Sequence, residues 1–569
     1  MSSSALPRLP LFEAIAAHDP TAAAVVHSLS GRSFSYRGLL PDVRRARDRM
    51  RQARPVSDLA GERIAFLVEN SYDYVVTLLA IIAARAIAVP LSPAFPVPEL
   101  QYILDHSEAS LLVSTPRFAS KVQALLATQL SAPPRHLELP KHHGADTQHE
   151  TVELQGTDAG DAALMLYTSG TTNRPKGVLL PQSVLTAQSR SLIEAWQYSP
   201  SDRLLHVLPL HHIHGVVNAL LTPLFAGSSI EFLFPFIPDR VWDRLAAPFL
   251  PSNPARNGPK ITFFTAVPTV YSRLMASHKF LAPTLQEAAR EAISPQNMRL
   301  TISGSAALPT PVKAAWHTLS RGSILLERYG MTEVGMALSC GLDPADRVDA
   351  SVGWPLPCVQ ARLVDSDCGA VISPDEATNG GPERAGEIQL RGPTIFREYW
   401  RNPDATAREF VSDPHGGPPW FKTGDVAVRR HVPSAGLNTS AQPWATGPLF
   451  FILGRQSADI IKSGGEKVSA LEVERELLSL PIVSEAAVVA VPSGRWGHKV
   501  GAVIVLDQTV ASTWSTRDMR RALAPRLANY KLPQVLRLVD RIPRNAMGKI
   551  NKKQLVSTVF AQDASGDEA

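Results

Sequence analysis

Cysteine is scarce in this chain. Three residues in 569, Cys340, Cys358 and Cys368, fall within one short region. An odd number so placed excludes a disulfide framework and fits a reducing compartment. Long hydrophobic runs are lacking too. The longest, VVTLLAIIAA (Val75–Ala84), stops at Arg85; it is about half the ~20 residues that cross a bilayer, so it reads as a buried helix. Nor is there a strong charge bias: the formal net charge is +5. Without an RNP-like, zinc-finger or basic-zipper pattern, nucleic acid is not an expected partner. The beginning, MSSSALPRLPLFEA, has one arginine and no apolar stretch before Glu13 and Asp19, and the end, SGDEA, is not a peroxisomal signal. A cytoplasmic protein is the expectation, with a mitochondrial one as the alternative.

Hydrophobic residues make up 44% of the chain, and a length of 569 residues demands more than one core. Short β-branched runs alternate with helical patterns. RIAFLVEN, AIAVPL and LLVST read as strands, with PELQYILDHS as a helix between the last two. The alternation recurs at LLHVLPL, SIEFLF, ITFFTAVP and RLTISGS, which predicts parallel sheets built from βαβ units. Residues 132–157, 251–258, 366–384 and 431–448 read as surface loops, the last as an insertion. After Gly454-Arg455 the pattern resets. EVERELLSL and RDMRRALAPRLANY read as helices, EAAVVAVP and KVGAVIVL as strands. The expected organisation is α/β: a large domain over 1–455 and a small α+β domain over 456–569.

One stretch concentrates anion-binding chemistry. In YTSGTTNRPKG (Tyr167–Gly177), glycines, hydroxyls and a lysine lie between a strand, AALMLY, and a helix, QSVLTAQSRSLIEAW. Backbone N–H groups and hydroxyls at a strand end can surround phosphate oxygens. A Walker A loop is excluded: counting from Gly170, Pro175 stands where glycine is required and Gly177 where Ser or Thr must bind magnesium.

YTSGTTNRPKG resembles the phosphate-loop signature of the adenylate-forming superfamily, which includes acyl-CoA synthetases, luciferases and peptide-synthetase adenylation domains. Six further motifs of that family follow in order: PLHHIHG (Pro209–Gly215), SGSAALP (Ser303–Pro309), ERYGMTE (Glu327–Glu333), WFKTGD (Trp420–Asp425), GRQSADIIKSGGEKVSALEVE (Gly454–Glu474) and PRNAMGKINK (Pro543–Lys552). The resemblance spans roughly residues 10 to 555. It implies a layered α/β N-terminal domain, a small mobile α+β C-terminal domain, and an ATP- and Mg²⁺-dependent ligase. A carboxylate attacks the α-phosphate of ATP, and a thiol, that of coenzyme A, then displaces AMP. Charge builds on phosphate oxygens in such a reaction, so cations and oriented donors matter most.

Carried over motif by motif, the resemblance implies that Thr168, Ser169, Gly170, Thr171, Thr172 and Lys176 hold the β- and γ-phosphates. Tyr329 would stack on adenine within Glu327, Arg328, Tyr329, Gly330 and Met331; Thr332 would bind the α-phosphate. Glu333, with Thr172, would ligate Mg²⁺. Gly304, Ser305 and Ala306 fit the adenine pocket, while Asp425 and Arg455 fit the ribose. Lys549 would reach the α-phosphate and the substrate carboxylate. Ser457 falls at the hinge, and Gly464 and Gly465 would leave room for pantetheine.

His206, His211, His212 and His214 invite a zinc reading, but no zincin spacing or nearby carboxylate supports it. His212 is assigned instead to the acyl pocket, with Ser303. Within the superfamily, PLHHIHGVVNALLTPLFAG, VPTVYSRLM, MRLTISGSAALP and LLERYGMTEVGMALS resemble malonyl-CoA and methylmalonyl-CoA synthetases most closely. A short diacid needs a cation for its second carboxylate; Arg299 is the first expectation and Arg273 the second. Met331 and Gly335 border the region that would limit size at the α-carbon. Two enzymatic alternatives stay open: another small acid, such as malonamate, or transfer to a carrier protein in trans. A non-catalytic binding protein is opposed by the presence of Lys176, Glu333, Asp425 and Lys549 together.

Overall fold

A computed structural model describes residues 5–54, 58–144, 150–156, 160, 162–168, 174–251, 258–377, 383–414, 416–437, 442–493, 496–544 and 550–561. Ser169, Gly170, Thr171, Thr172 and Lys549 lie outside the described residues.

The β-branched runs form strands where alternation with helices predicts them. Arg63–Leu67 (β1), Ile87–Pro90 (β2) and Leu111–Ser114 (β3) pair in parallel, with the helix Tyr72–Ala83 (α1) after β1. Every residue of α1 is buried, which answers the apolar run that is too short for a membrane. Among the described residues no helix is long and apolar enough to cross one. Ala163–Thr168 (β4) pairs in parallel with β2 and antiparallel with Lys176–Pro181 (β5). The phosphate-loop motif therefore bridges a hairpin, with Thr168 opposite Lys176. The helix Gln182–Trp196 (α2) follows β5 directly.

The second sheet has fifteen strands. Arg203–His206 (β6), Ser229–Phe232 (β7), Phe263–Ala266 (β8), Leu300–Ser303 (β9) and Leu326–Met331 (β10) are parallel, with the helices Pro268–His278 (α3) and Thr310–Leu319 (α4) as crossovers. Beyond β10 the sheet turns antiparallel. Gly335–Ser339 (β11) folds back on β10, and further along Trp420–Arg430 (β12) pairs with Leu449–Arg455 (β13). This antiparallel half was not foreseen from the βαβ pattern, which carries no signal for where parallel pairing stops.

After β13 the chain enters a separate five-stranded sheet. It contains Ile460–Ser463 (β14), Glu466–Ser469 (β15), Val483–Ser493 (β16) and Gly497–Leu506 (β17), backed by Ala470–Leu478 (α5) and Lys552–Val559 (α6). Ser469 caps α5, its hydroxyl accepting from the Glu472 N–H at 3.1 Å, and Asn551 caps α6 in the same manner through the Gln554 N–H at 3.1 Å.

One loop expectation needs correction. Residues 431–448 are not simply a surface insertion. Gln442 is buried, donating to the Ala195 carbonyl at 2.7 Å and accepting from the Leu342 N–H. The turn of chemistry-poor Pro, Ser and Gly residues is thus stapled to the core by one amide.

The charged core of the first subdomain makes a pH prediction. His142 sits between Asp73, 2.9 Å away, and Asp42, 3.5 Å away. Burial alone pushes its pKa down, but the two carboxylates outweigh that and raise it to about 9. A folded-state value above the ordinary 6.5 stabilises fully below pH 6.5 and loses its contribution as pH rises through 9. Stability to urea should therefore fall by up to about 3 kcal/mol between pH 6.5 and 9, and His142→Gln should flatten that slope.

Candidate active site

The parallel strands β6, β8, β9 and β10 all end at one edge, where ligands bind in open α/β sheets. Ser303 closes β9, and Gly304, Ser305 and Ala306 follow it, the last two exposed. β10 then delivers Tyr329, Gly330 and Met331, and the turn into β11 carries half-buried Thr332 and buried Glu333. That turn has no spare room. A Cβ on Gly330 would stand 2.1 Å from the Gly335 carbonyl oxygen. Gly335, at φ +69°, would drive a Cβ to 1.6 Å from Gln188 Oε1, the atom that accepts the Met336 N–H at 2.8 Å.

Three strands meet at Asp425. It lies opposite Arg455 in the β12–β13 ladder. Arg455 Nε donates to Asp425 Oδ1 at 3.0 Å, and the Tyr329 hydroxyl donates to Oδ2 at 2.6 Å. Burial works against the Arg455 charge, but Asp425 outweighs it and holds its pKa above the ordinary guanidinium range. Arg455 Nη2 also reaches Oδ2 at 3.4 Å, so it is Oδ1 that retains capacity to accept from a ligand hydroxyl.

Glu333 is buried, and burial raises its carboxyl pKa, with partial relief from the Tyr399 hydroxyl, which donates to Oε1 at 2.8 Å. Tyr399 was missed from the sequence: it lies on a two-residue strand, Glu398–Tyr399, that pairs with β5. Lys176 Nζ sits 4.1 Å from the centre of its ring. A buried carboxylate with an unused oxygen beside phosphate-binding elements fits a divalent cation, whose charge would reverse the burial penalty. Arg174, Tyr102, His106 and Trp400 wall a cavity beside Lys176.

Arg328 behaves differently from every other arginine assigned to the site. It is 4% exposed, faces no carboxylate among the described residues, and leaves its Nε without a partner. Burial lowers its pKa to about 9. Among the described residues it makes one long hydrogen bond, from Nη2 to Ser305 Oγ at 3.3 Å. Ser305 Oγ is also 3.3 Å from His214 Nδ1, and His214 Nε2 is 2.6 Å from Thr265 Oγ1. Burial, reinforced by the Arg328 charge, keeps His214 neutral. Gly304 makes room for this cluster: a Cβ there would lie 2.5 Å from Arg328 Cζ.

Two of the expected site residues have internal partners. Arg299 precedes β9 and so lies at the far end of that strand from Ser303, roughly 13 Å off at about 3.3 Å per residue. Its guanidinium is committed: Nε and Nη2 bind Asp202 at 3.0 and 2.8 Å, and Nη1 binds the Trp196 carbonyl at 2.9 Å. Glu327 likewise pairs with the Lys313 ammonium, 2.7 Å away and buried. Arg273, on α3, lies 4.8 Å from the Phe236 ring centre and has no ion pair among the described residues. Ser303 Oγ is buried without a partner.

The histidines separate as well. His206 Nε2 meets the Gly215 carbonyl at 3.0 Å, and His211 and His212 pack ring to ring at 4.0 Å. His214 lies beside Ser305, which also accepts from Arg328. Gly464 and Gly465 form the β14–β15 turn at φ +59° and +88°, conformations open mainly to glycine.

A parallel sheet ending in a cationic, hydroxyl-lined edge, an acid–arginine–tyrosine clamp, and a small sheet joined after β13 define an adenylate-forming enzyme. The family comparison agrees. Residues 12–400 match the AMP-binding enzyme family and residues 472–549 the AMP-binding enzyme C-terminal domain. A CoA ligase from Gibberella moniliformis is 54% identical, with 98% of this chain and 96% of that protein covered. The mouse mitochondrial malonate–CoA ligase ACSF3 is 41% identical over 89% of this chain and 83% of its own length. The crystal structure of ATP-bound MatB from Rhodopseudomonas palustris superposes with a TM-score of 0.77 at 31% identity, covering 96% and 97% of the two chains. The chain belongs to the AMP-binding enzyme family. It is an acid–thiol ligase using ATP, Mg²⁺ and coenzyme A.

Two measurements check the geometry. Arg299→Ala should destabilise the protein by about 2–3 kcal/mol, because Asp202 is left buried without its partner while Arg299 is itself a third exposed. The folded enzyme should keep its substrate preference. Asp425→Ala should raise the KM for ATP by about 10–100-fold through loss of charge-assisted bonds, while unfolding midpoints move far less.

Proposed function

We propose that this ligase activates a short dicarboxylic acid, malonate, and that Arg328 holds the carboxylate that does not react. The observation that carries this reading is a buried guanidinium with no acidic partner. An unpaired buried charge costs several kcal/mol, a cost that an anionic substrate offsets on binding. Arg328 lies on the strand that runs into the Gly330–Glu333 turn, so an acid held by it would point its other carboxylate toward that turn. Ser305 and neutral His214 supply hydrogen-bonding groups beside the same carboxylate. The mouse relative named as a malonate–CoA ligase supports the choice of acid.

The reaction needs orientation more than a protein nucleophile. The free carboxylate oxygen attacks the α-phosphorus, the bond to the β-phosphate breaks, and pyrophosphate leaves. The thiol of coenzyme A then attacks the acyl carbon, forming C–S and expelling AMP. Lys176 and the hydroxyls of the phosphate loop face the leaving pyrophosphate, Thr332 the α-phosphate, and Asp425 with Arg455 the ribose. Tyr329, held by its bond to Asp425, would present its ring to adenine, and Lys549 is assigned to the α-phosphate and carboxylate. Bound at Glu333 and Thr172, Mg²⁺ would neutralise phosphate charge. We place the domain boundary at 455/456, between the last strand of the large sheet and the first of the small one, with Ser457 at the hinge and Gly464 and Gly465 admitting pantetheine. The mitochondrial relatives favour the mitochondrial alternative over a cytoplasmic location.

The test is ATP- and CoA-dependent AMP release with malonate, methylmalonate, malonamate, succinate, acetate and octanoate. Malonate should exceed acetate in kcat/KM by about 10–100-fold, the equivalent of one charge-assisted contact. Arg328→Met should erase that margin, and Arg299→Ala should keep it. A malonate margin that survives Arg328→Met sinks the anchor, and a monocarboxylate in first place sinks the diacid.

A further inference from the structure

Lys552 heads α6, a position where the helix dipole disfavours a positive charge. Its side chain is nonetheless only 12% exposed, with Nζ 2.5 Å from Asp459 Oδ1 and 2.7 Å from Glu474 Oε1. Glu474, on α5, also accepts the Val488 N–H at 2.7 Å, so it belongs to the core of the small domain. Asp459 does not. It lies in the turn 456–459 between the two sheets, and its other oxygen, Oδ2, accepts the Arg455 N–H at 3.0 Å. Gly454 lets this approach occur: at φ +127° a Cβ there would stand 2.4 Å from Asp459 Cβ.

A continuous line of bonds results. Lys552 holds Asp459, Asp459 holds the Arg455 backbone, and Arg455 holds Asp425, which holds Tyr329. A triad serving only the small domain would need Lys552 and Glu474 alone. The second carboxylate, with one oxygen on each side of the turn, joins that domain to the nucleotide clamp of the large one.

We propose that Lys552 is a positioning residue for the nucleotide site: through Asp459 and Arg455 it sets the Asp425 carboxylate, so that affinity for ATP depends on how α6 is seated. The inference rests on the reading of Asp425 and Arg455 as the ribose clamp. It uses no contact of Lys552 with substrate.

Asp459→Ala is the first variant, since Lys552 and Glu474 remain paired and the small domain keeps its core. Lys552→Arg and the double variant Lys552→Met/Glu474→Gln accompany it. Acid-dependent pyrophosphate exchange gives the KM for ATP and the rate of adenylation. The CoA step is read separately from supplied acyl-adenylate, and melting temperature is recorded for each protein. The KM for ATP should rise about tenfold in Asp459→Ala and in the double variant, a coupling of ordinary size, with the CoA step within about twofold of wild type. Lys552→Arg should retain most of the ATP affinity. An unchanged KM for ATP in folded Asp459→Ala overturns the coupling, as do losses in both steps that merely follow a lowered melting temperature. If Asp425→Ala itself leaves the KM for ATP unchanged, the clamp reading fails, and this inference with it.

Discussion

Strand β10 pairs in two ways at once: parallel to β9 on one side and antiparallel to β11 on the other. The turn between β10 and β11 closes because Gly330 lets the Gly335 carbonyl approach without a Cβ between, and Gly335 leaves room for the Gln188 amide that accepts the Met336 N–H. Thr332, Glu333, Tyr329, Asp425 and Arg455 all depend on that junction, whereas Lys176 comes from the β4–β5 hairpin of the other sheet. The turn at the junction carries Thr332 and Glu333, its outgoing strand leads into the antiparallel half that supplies Asp425 and Arg455, and its incoming strand carries Arg328 and Tyr329. A side chain at either glycine would open the turn and shift these groups together, which makes close approach, and not any single bond, the governing constraint.

Within that frame the distribution of charge separates structure from chemistry. Lys313 answers Glu327, and Asp202 answers Arg299, each within 3 Å. Such pairs hold elements in register and have nothing left to offer a ligand. Arg328 and Glu333 are buried with unused capacity, one cationic and one anionic. Leaving a buried charge unsatisfied is unfavourable in the free protein, and such sites point to a ligand whose charge completes them. The opposite signs of the two residues match a substrate carboxylate and a metal ion on either side of the reacting phosphate.

The two domains are joined by more than a covalent link. Asp459 shares its oxygens between the Lys552 ammonium and the Arg455 amide, so displacement of the turn 456–459 would disturb both ends. The small sheet has its own apolar core, including Ile461, Val473, Val488 and Ile504. What couples it to the nucleotide is polar, directional and short-ranged, properties that a hydrophobic interface would lack.

The order of motifs, the βαβ alternation, the reset after Gly454-Arg455 and the chemistry of AMP formation were all legible in the sequence, because periodicity and local motifs depend on neighbouring residues. Asp425, Arg455, Lys176, Tyr329 and Glu333 were named there as candidates. The partner of each charge was not. Arg299 and Arg328 stand in the stretches MRLTISGS and LLERYGMTE, and neither stretch says which arginine meets an internal carboxylate. Tyr399 is 66 residues from Glu333, and Asp459 is 93 residues from Lys552 in the sequence. Which cation is spent on an internal carboxylate and which is left for a ligand depends on strand direction and sheet order. The sequence by itself determined the class of reaction and the residues able to take part; only the folded chain, by bringing distant charges within 3 Å or keeping them apart, decided which of those residues remained free to act.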